Sequence, residues 1–293
     1  GRAPVVTYQA KGHSIFTAIR RLTASTPRRL YLAHFRTFVI GESVAKEGIA
    51  PILDVLSRSH ELRGDFYLIV TKGEKAKDVL EILTPLEKVP SNYMYTMLKH
   101  AEKEWAPFTT TVKIDQLNSD IESEGKEPIL SAIDIKGNIE EGQKKSNVEN
   151  IAMKAYLHYS GLGVFKKDKL IGWLDEDESG GFNFLRNNVP QTVVEIPCNK
   201  KRKDVMEIIR SKTKLRGSVV SHTPKISGTI EMEGNVAELQ CDTDLLSLNT
   251  IHLLEKKTEQ VVQEDIRKAL YAAQKKYHSD IFGFGEVIHR SNP

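Results

Sequence analysis

The sequence predicts an α+β protein of three mixed domains, and three observations lead to this expectation. The first third alternates between β-branched apolar runs and amphipathic segments, as strands and helices do in one α/β layer. The middle section is β-rich. The last third places three strand-like runs before one long amphipathic segment, which favours an antiparallel sheet packed on a long helix. We therefore expect an N-terminal mixed α/β domain at 1–108, a middle β-rich domain at 109–190 and a C-terminal sheet-plus-long-helix domain at 191–293.

Hydrophobic spacing predicts the elements of the first third. In order they are a helix over 14–22, a strand over 30–41, a helical segment over 43–59 broken near Gly48–Pro51, a strand over 65–73, a helix over 76–83 and a helix capped by Ser91. The strand over 65–73 is almost entirely apolar at its centre, so we expect it to be buried on both faces, with parallel neighbours.

The middle section is predicted to be mostly strands. In order it contains a short helix ending on Gly125, a strand over 128–139, a polar loop or hairpin tip over 140–150, and two strands joined by a turn at Lys167–Lys169. The composition change at 107–111 and the break at Val189–Pro190 mark the expected domain boundaries.

The last third is predicted to contain three sheet strands and a helix from Leu245 to Lys276. In the third strand, Ile226, Ile230 and Met232 share one face because strand side chains alternate. The helix carries an apolar stripe formed by Leu245, Leu248, Ile251, Leu254, Thr258, Val261, Val262, Ile266 and Leu270. We expect its opposite face to stay exposed, namely Glu255, Lys256, Lys257, Glu259, Gln260, Glu264, Asp265, Lys268 and Lys275.

Four consecutive acidic residues, Asp175 to Glu178, are candidates for a calcium site or a catalytic carboxylate pair. An EF-hand loop starting at Asp175 needs a glutamate at its twelfth position, but that residue is Arg186, whose cation repels calcium. A catalytic carboxylate pair needs two different environments, whereas four adjacent acids share a solvated one. The remaining interpretation is a helix start, in which Asp175 caps the helix and the other acids favour its dipole.

Other candidate motifs are weak, so we predict no catalytic, cofactor-binding or metal-binding residues and no enzyme. The GxG of Gly283 and Gly285 lacks a third glycine, and we expect it to allow close packing of Phe282 and Phe284. Glu286 and His289 stand three residues apart but lack further metal ligands. His34 falls in a predicted strand and is interpreted as a satisfied, semi-buried residue.

Composition excludes several classes of function. Net charge is +3, with 42 basic and 39 acidic residues mixed along the chain, which gives no support for nucleic-acid binding. The densest basic run, 200–203, is interpreted as a solvated turn. Cys198 and Cys241 lack metal-ligand spacing and are interpreted as buried or incidental thiols, with a disulfide left open. No stretch is apolar enough to span a membrane.

Four segments of the sequence, taken together, resemble one protein family. They are RRLYLAHF…LIVTKG at 28–73, PLEKVPSNY at 85–93, GLGVFKKDKLIGWLDEDESGGFNFL at 161–185 and KKYHSDIFGFGEVIHR at 275–290. In this order they resemble the Ger(x)C family, the C subunits of nutrient germinant receptors in spore-forming Gram-positive bacteria. The acidic run is then a family signature without identified chemistry.

The resemblance implies a non-enzymatic, three-domain lipoprotein. It would act with a membrane A subunit and a transporter-like B subunit, and would be lipid-anchored at the outer face of the spore's inner membrane. The chain opens on GRAPVV without Met or an anchor Cys and also ends abruptly, so we expect it to be cut from a longer protein. The alternative function is a direct sensor that binds an amino acid or sugar germinant in an inter-domain pocket.

Overall fold

The protein contains helices and strands from end to end in the residues that the computed structural model describes, which are 5–26, 32–59, 61–104, 108–199, 202–241 and 245–291. The helices are α1 Ile15–Leu22, α2 Glu42–Glu47, α3 Ala50–Arg58, α4 Ala76–Glu81, α5 Pro90–Glu104, α6 Ile114–Glu122, α7 Ile139–Gly142, α8 Ser146–Glu149, α9 Glu176–Leu185, α10 Leu248–Tyr271 and α11 Phe284–Ser291. The strands are β1 Thr37–Ile40, β2 Tyr67–Thr71, β3 Ile129–Gly137, β4 Ala155–Lys166, β5 Lys169–Leu174, β6 Thr192–Pro197, β7 Lys203–Val220 and β8 Thr223–Glu238.

The strands form two sheets. A five-stranded sheet has the order β1-β2-β3-β4-β5, and a three-stranded sheet has the order β6-β7-β8. β1, β2 and β3 are parallel, as predicted, and long helical connections join them, whereas β4 runs antiparallel to β3. All five residues of β2 are buried, which confirms the expectation for this apolar run.

The division of the chain differs from the three predicted domains. β2 precedes residue 108 and β3 follows it, yet the two pair directly, with Val70 opposite Ala132. One continuous sheet therefore crosses the predicted boundary near 108, because the buried backbone groups of β2 need hydrogen-bond partners on both edges. The chain forms two compact units, one of 1–98, 111–122 and 128–171, and one of 99–110, 123–127 and 172–293.

Two predicted features of the first unit are corrected. The strand expected over 30–41 shortens to β1, preceded by a 3₁₀ turn over Leu32–His34, while 30–31 lie outside the described residues. Phe35 lies before β1, and its ring packs edge-on against the ring of Phe66, with centroids 5.2 Å apart. Ser91 does not cap a helix, because α5 begins at Pro90, a residue suited to a helix start.

The polar stretch over 140–150 is not a loop but contains α7 and α8. Asn138 caps α7 by accepting a hydrogen bond from the backbone N–H of Glu141. The fully buried Asn147 then ties this region to the rest of the unit. Its side chain donates to the carbonyls of Leu83 and Ala155, and its carbonyl oxygen accepts from the N–H groups of Lys154 and Ala155. Polarity at this position is therefore structural.

The second unit joins β6–β8 to α10, as predicted, but it also contains α9, which lies before the predicted boundary near 190. Its core contains Phe184, Val194, Ile208 and Val262, and a smaller cluster joins Leu254 to Ile196 and Met206. The predicted helix from 245 to 276 begins later, at Leu248, and ends in a π-helical turn over Ala272–Tyr277. The predicted apolar stripe of this helix is wrong at its start, because Leu248 is 77% exposed rather than buried.

Cys198 and Cys241 form a disulfide, which corrects the interpretation of both as thiols. Cys198 directly follows β6 and Cys241 lies just beyond β8, on the two sides of β7. Antiparallel pairing of β6 and β8 with β7 brings these strand ends together, which a sequence separation of 43 residues does not reveal.

Candidate functional site

The acidic run is the N-terminus of α9. The side chain of Asp175 accepts a hydrogen bond of 2.9 Å from the backbone N–H of Glu178, and the Glu178 carboxylate accepts one of 3.0 Å from the N–H of Asp175. This reciprocal pair is a capping box. Arg186, at the position where an EF-hand needs a glutamate, donates to the carbonyl of Phe282 at 2.8 Å. The predicted cap is confirmed.

Replacement of Asp175 by alanine should therefore destabilise the second unit modestly. We expect Asp175→Ala to lower the free energy of unfolding by about 1 kcal/mol, because the N–H of Glu178 loses its acceptor. Urea unfolding followed by circular dichroism measures this change. Calcium should leave the melting temperature of the wild-type chain unchanged, and a rise of several degrees would contradict the cap interpretation.

The two glycines after the acids have different surroundings. A Cβ atom at Gly181 would lie 2.2 Å from the backbone carbonyl oxygen of Asp265 on α10, whereas a Cβ at Gly180 would meet no atom within 4 Å. The backbones of α9 and α10 therefore touch at Gly181, and only glycine fits there. Gly181 therefore serves the crossing of the two helices, and Gly180 does not.

A charged cluster lies beside this crossing. The Lys268 ammonium is 2.6 Å from Asp177 on α9 and 3.6 Å from Asp265. Burial of the Asp265 carboxyl, together with repulsion from Asp177, raises its pKa to about 6. Asp265 and Lys268 were expected to stay exposed, but both are half-buried because α9 covers this side of α10. The cluster is therefore part of the contact between α9 and α10.

This raised pKa predicts a pH dependence of stability. The ordinary pKa is 3.8, so the folded chain binds more protons than the unfolded chain between about pH 4 and 6. The contribution of Asp265 is thus full below pH 4 and is lost as the pH rises through 6. From pH 4 to 7, wild type should lose about 1 kcal/mol more stability than Asp265→Asn, a figure reduced for solvent screening.

Urea unfolding across that pH range measures the difference. Glu259→Gln is the matched control, because Glu259 is exposed on the same helix and is not among the groups that shift the Asp265 pKa. It should retain the wild-type profile. Parallel pH profiles for wild type and Asp265→Asn would show that this carboxyl does not carry the effect.

The GxG motif does not form a phosphate site in the described part of the chain. The carboxylate of Asp280 accepts hydrogen bonds from the N–H of Phe284 at 2.9 Å and of Gly285 at 2.7 Å, so it already fills the start of α11. The rings of Phe282 and Phe284 stack with centroids 5.0 Å apart, and a Cβ at Gly285 would lie 2.7 Å from the Cα of Gly125. The expected close packing is therefore present.

The remaining candidate residues are dispersed. Glu286 accepts a hydrogen bond from Ser123 and pairs with Arg290, whereas His289 is exposed. His34 lies in the 3₁₀ turn and is exposed, which corrects its placement in a strand. The structure does not bring these side chains together.

An apolar groove of about 960 Å³ runs between the β7–β8 hairpin and helices α10 and α11. Its walls include Leu215, Ile226, Ile230, Ile266, Leu270 and Ile288, and its polar lining includes Glu259, Gln263 and Gln274. Sequence reasoning found the strand and helix stripes but not the space between them. The signal on the strand side was the apolar face of β8, which includes Ile226 and Ile230.

Comparisons with known proteins cover nearly the whole chain. The family model described as "Spore germination protein N-terminal domain" matches residues 1–135, and the model described as "Spore germination B3/ GerAC like, C-terminal" matches residues 160–293. The chain is 28% identical, over 100% of its length and 72% of the relative, to spore germination protein KC of Bacillus subtilis (strain 168).

The fold is also similar to a solved structure. The crystal structure of the GerBC protein aligns with a TM-score of 0.67 and 20% identity, covering 93% of this chain and 74% of that chain. At this identity the likeness concerns the fold alone, and it confirms the predicted α+β class. None of the helices in the described ranges is both long enough and apolar enough to cross a membrane.

Proposed function

Because the chain belongs to the Ger(x)C family of spore germination proteins, we propose that it is the C subunit of a nutrient germinant receptor. In this role it acts with a membrane A subunit and a transporter-like B subunit, held by an N-terminal lipid anchor at the outer face of the spore's inner membrane. The observation that carries the proposal is the match of two spore germination models, which together include both halves of the chain.

The geometry supports a scaffold rather than an enzyme. The acids of the signature segment form the cap of α9, Gly181 serves the contact with α10, and Asp280 fills the start of α11. Each motif that could have carried chemistry thus has a structural role in the described residues. A receptor subunit of this kind transmits or stabilises the active assembly through its surfaces.

Co-purification tests the proposed assembly. The full-length protein, tagged and expressed in spores, should retain the A and B subunits when it is extracted from inner membranes with mild detergent. Spores that lack the A subunit provide the control for non-specific recovery. Recovery of the tagged protein without either subunit, under conditions that keep other membrane complexes intact, would contradict the proposed role.

The outer face of α10 is a candidate contact surface for these subunits. Glu255 and Lys256 are exposed there. The double replacement Glu255→Lys with Lys256→Glu should change the free energy of unfolding by less than about 0.5 kcal/mol, because both side chains are solvated. We expect it to slow nutrient germination while the purified domain stays folded. Normal germination at normal receptor levels would exclude this face.

A second candidate function is direct binding of a germinant, and the apolar groove is the observation that favours it. Pockets of this size accept small ligands. Calorimetric titration with amino acids and sugars tests this candidate, with Ile226→Gln as the variant that places a polar group in the groove. Saturable heat that the variant abolishes would favour a sensor, and a flat trace would favour the scaffold. The apolar lining disfavours sugars, so this candidate ranks second.

A further inference from the structure

Two sulfur atoms and one carboxylate meet at one end of the three-stranded sheet. The Sγ atoms of Cys198 and Cys241 and an oxygen of Asp204 all lie within 4.8 Å of one another. Asp204 is on β7, between the two strands that lead to the cysteines. The Cα atoms of the cysteines are 6.6 Å apart. This constellation is formed by three separate segments, so the sequence spacing did not indicate it.

The carboxylate is buried and oriented. Asp204 is 2% exposed, and its Oδ1 atom accepts hydrogen bonds from the N–H of Gln240 at 3.0 Å and of Cys241 at 3.2 Å. These two bonds hold the carboxylate in place beside the two sulfur atoms. Metal-binding carboxylates are commonly held by hydrogen bonds of this kind.

The turn that carries Cys198 is also held. Both the N–H and the disulfide sulfur of Cys198 lie close to the carbonyl oxygen of Arg202, at 3.2 and 3.3 Å. Backbone bonds thus position Cys198 from one side of β7 and Cys241 from the other. Such preorganisation reduces the entropy lost when three ligands converge on one ion.

We propose that, when the disulfide is reduced, Cys198, Cys241 and Asp204 form a binding site for a thiophilic divalent cation of the zinc type. Two thiolates and one carboxylate are ligands that zinc accepts, and water would complete a tetrahedral site. The site and the disulfide exclude each other, because each uses both sulfur atoms. This inference stands apart from the receptor role and does not depend on it.

A small thiol can act as the reductant of the Cys198–Cys241 disulfide. Two thiol molecules break the S–S bond, form one small-molecule disulfide and leave two protein thiols. The cation then displaces both thiol protons, so its binding should strengthen as the pH rises towards the thiol pKa. Either the disulfide or the metal ties the β6–β7 turn to the segment that leads into α10. Only the reduced, metal-free chain lacks this connection.

Cobalt titration of the full 293-residue chain tests the site. Cobalt(II) replaces zinc and gives sulfur-to-metal charge-transfer absorption when thiolates bind it. The chain reduced with a phosphine, desalted without oxygen, should bind one equivalent with this absorption, and zinc should displace it. The oxidised chain should show none. Cys198→Ser and Cys241→Ser should each reduce the absorption by about half or more, because one thiolate is lost.

The carboxylate has its own test. Asp204→Asn should weaken cobalt binding by about 10-fold or more, whereas Glu231→Gln, a change on the exposed face of β8, should leave it unchanged. If Asp204→Asn fails to fold, Asp204→Glu replaces it and should shift the spectrum of the bound cobalt. The proposal is overturned by absent charge-transfer absorption in the reduced chain, or by cobalt binding that neither cysteine variant reduces. An unchanged affinity and spectrum in the Asp204 variants would overturn the role of the carboxylate.

Discussion

Gly181→Ala should destabilise the second unit by about 3 kcal/mol or more, at the upper end of the range for overpacked sites. The added Cβ would stand 2.2 Å from the carbonyl oxygen of Asp265, a distance that no rotamer change relieves because both atoms belong to backbone-fixed positions. The helices α9 and α10 would have to separate, and the separation would expose part of the core around Phe184 and Val262. Urea unfolding monitored by circular dichroism measures the loss.

Gly180→Ala is the matched control, one residue away on the same helix. A Cβ there meets no atom within 4 Å, and alanine favours a helix over glycine by about 1 kcal/mol. We therefore expect Gly180→Ala to leave the free energy of unfolding unchanged or to raise it by up to about 1 kcal/mol. Equal effects of the two substitutions would show that the close contact of α9 with α10 is not what Gly181 provides.

Leu254→Ala should lower the free energy of unfolding by about 2–5 kcal/mol, through lost burial and the cavity left behind. Leu254 is 3% exposed and packs between Ile196 and Met206, where α10 lies on the sheet. Its neighbour Leu253 is 51% exposed. Leu253→Ala is therefore the control, with an expected change within about 0.5 kcal/mol.

Thermal and urea unfolding of the two leucine variants compare one helix position with the next. The contrast tests the orientation of α10 as well as its contact with the sheet. A larger loss for Leu253→Ala than for Leu254→Ala would mean that the helix presents a different face to the core. A small loss for both would mean that the helix contributes little to this unit.

Most helices and strands were predictable because their signals are local. Local residue patterns identified β7 and β8 as strands. The apolar run of β2 indicated burial on both faces, and all five residues are buried. The capped start of α9 was likewise recognised without any knowledge of what the helix packs against.

Local signals were misleading where a distant partner decides the structure. The polarity of 140–150 suggested a loop, yet Asn147 is buried by its bonds to Leu83 and Ala155. The composition change at 107–111 suggested a boundary, yet β2 and β3 pair across it. The exposed face of α10 was drawn from periodicity alone, and α9 covers Asp265 and Lys268 on that side.

By itself the sequence determined the order and type of most elements, the cap of α9 and the resemblance to the Ger(x)C family. These follow from residues within about one helical turn or a few strand positions of each other, and from long phrases of matching residues. Only the tertiary structure decided that one sheet crosses residue 108, that Gly181 rather than Gly180 requires glycine, and that Cys198 meets Cys241 beside Asp204. Those features depend on which distant segments come together, and that choice is made by the burial and pairing of the whole chain rather than by any neighbouring residue.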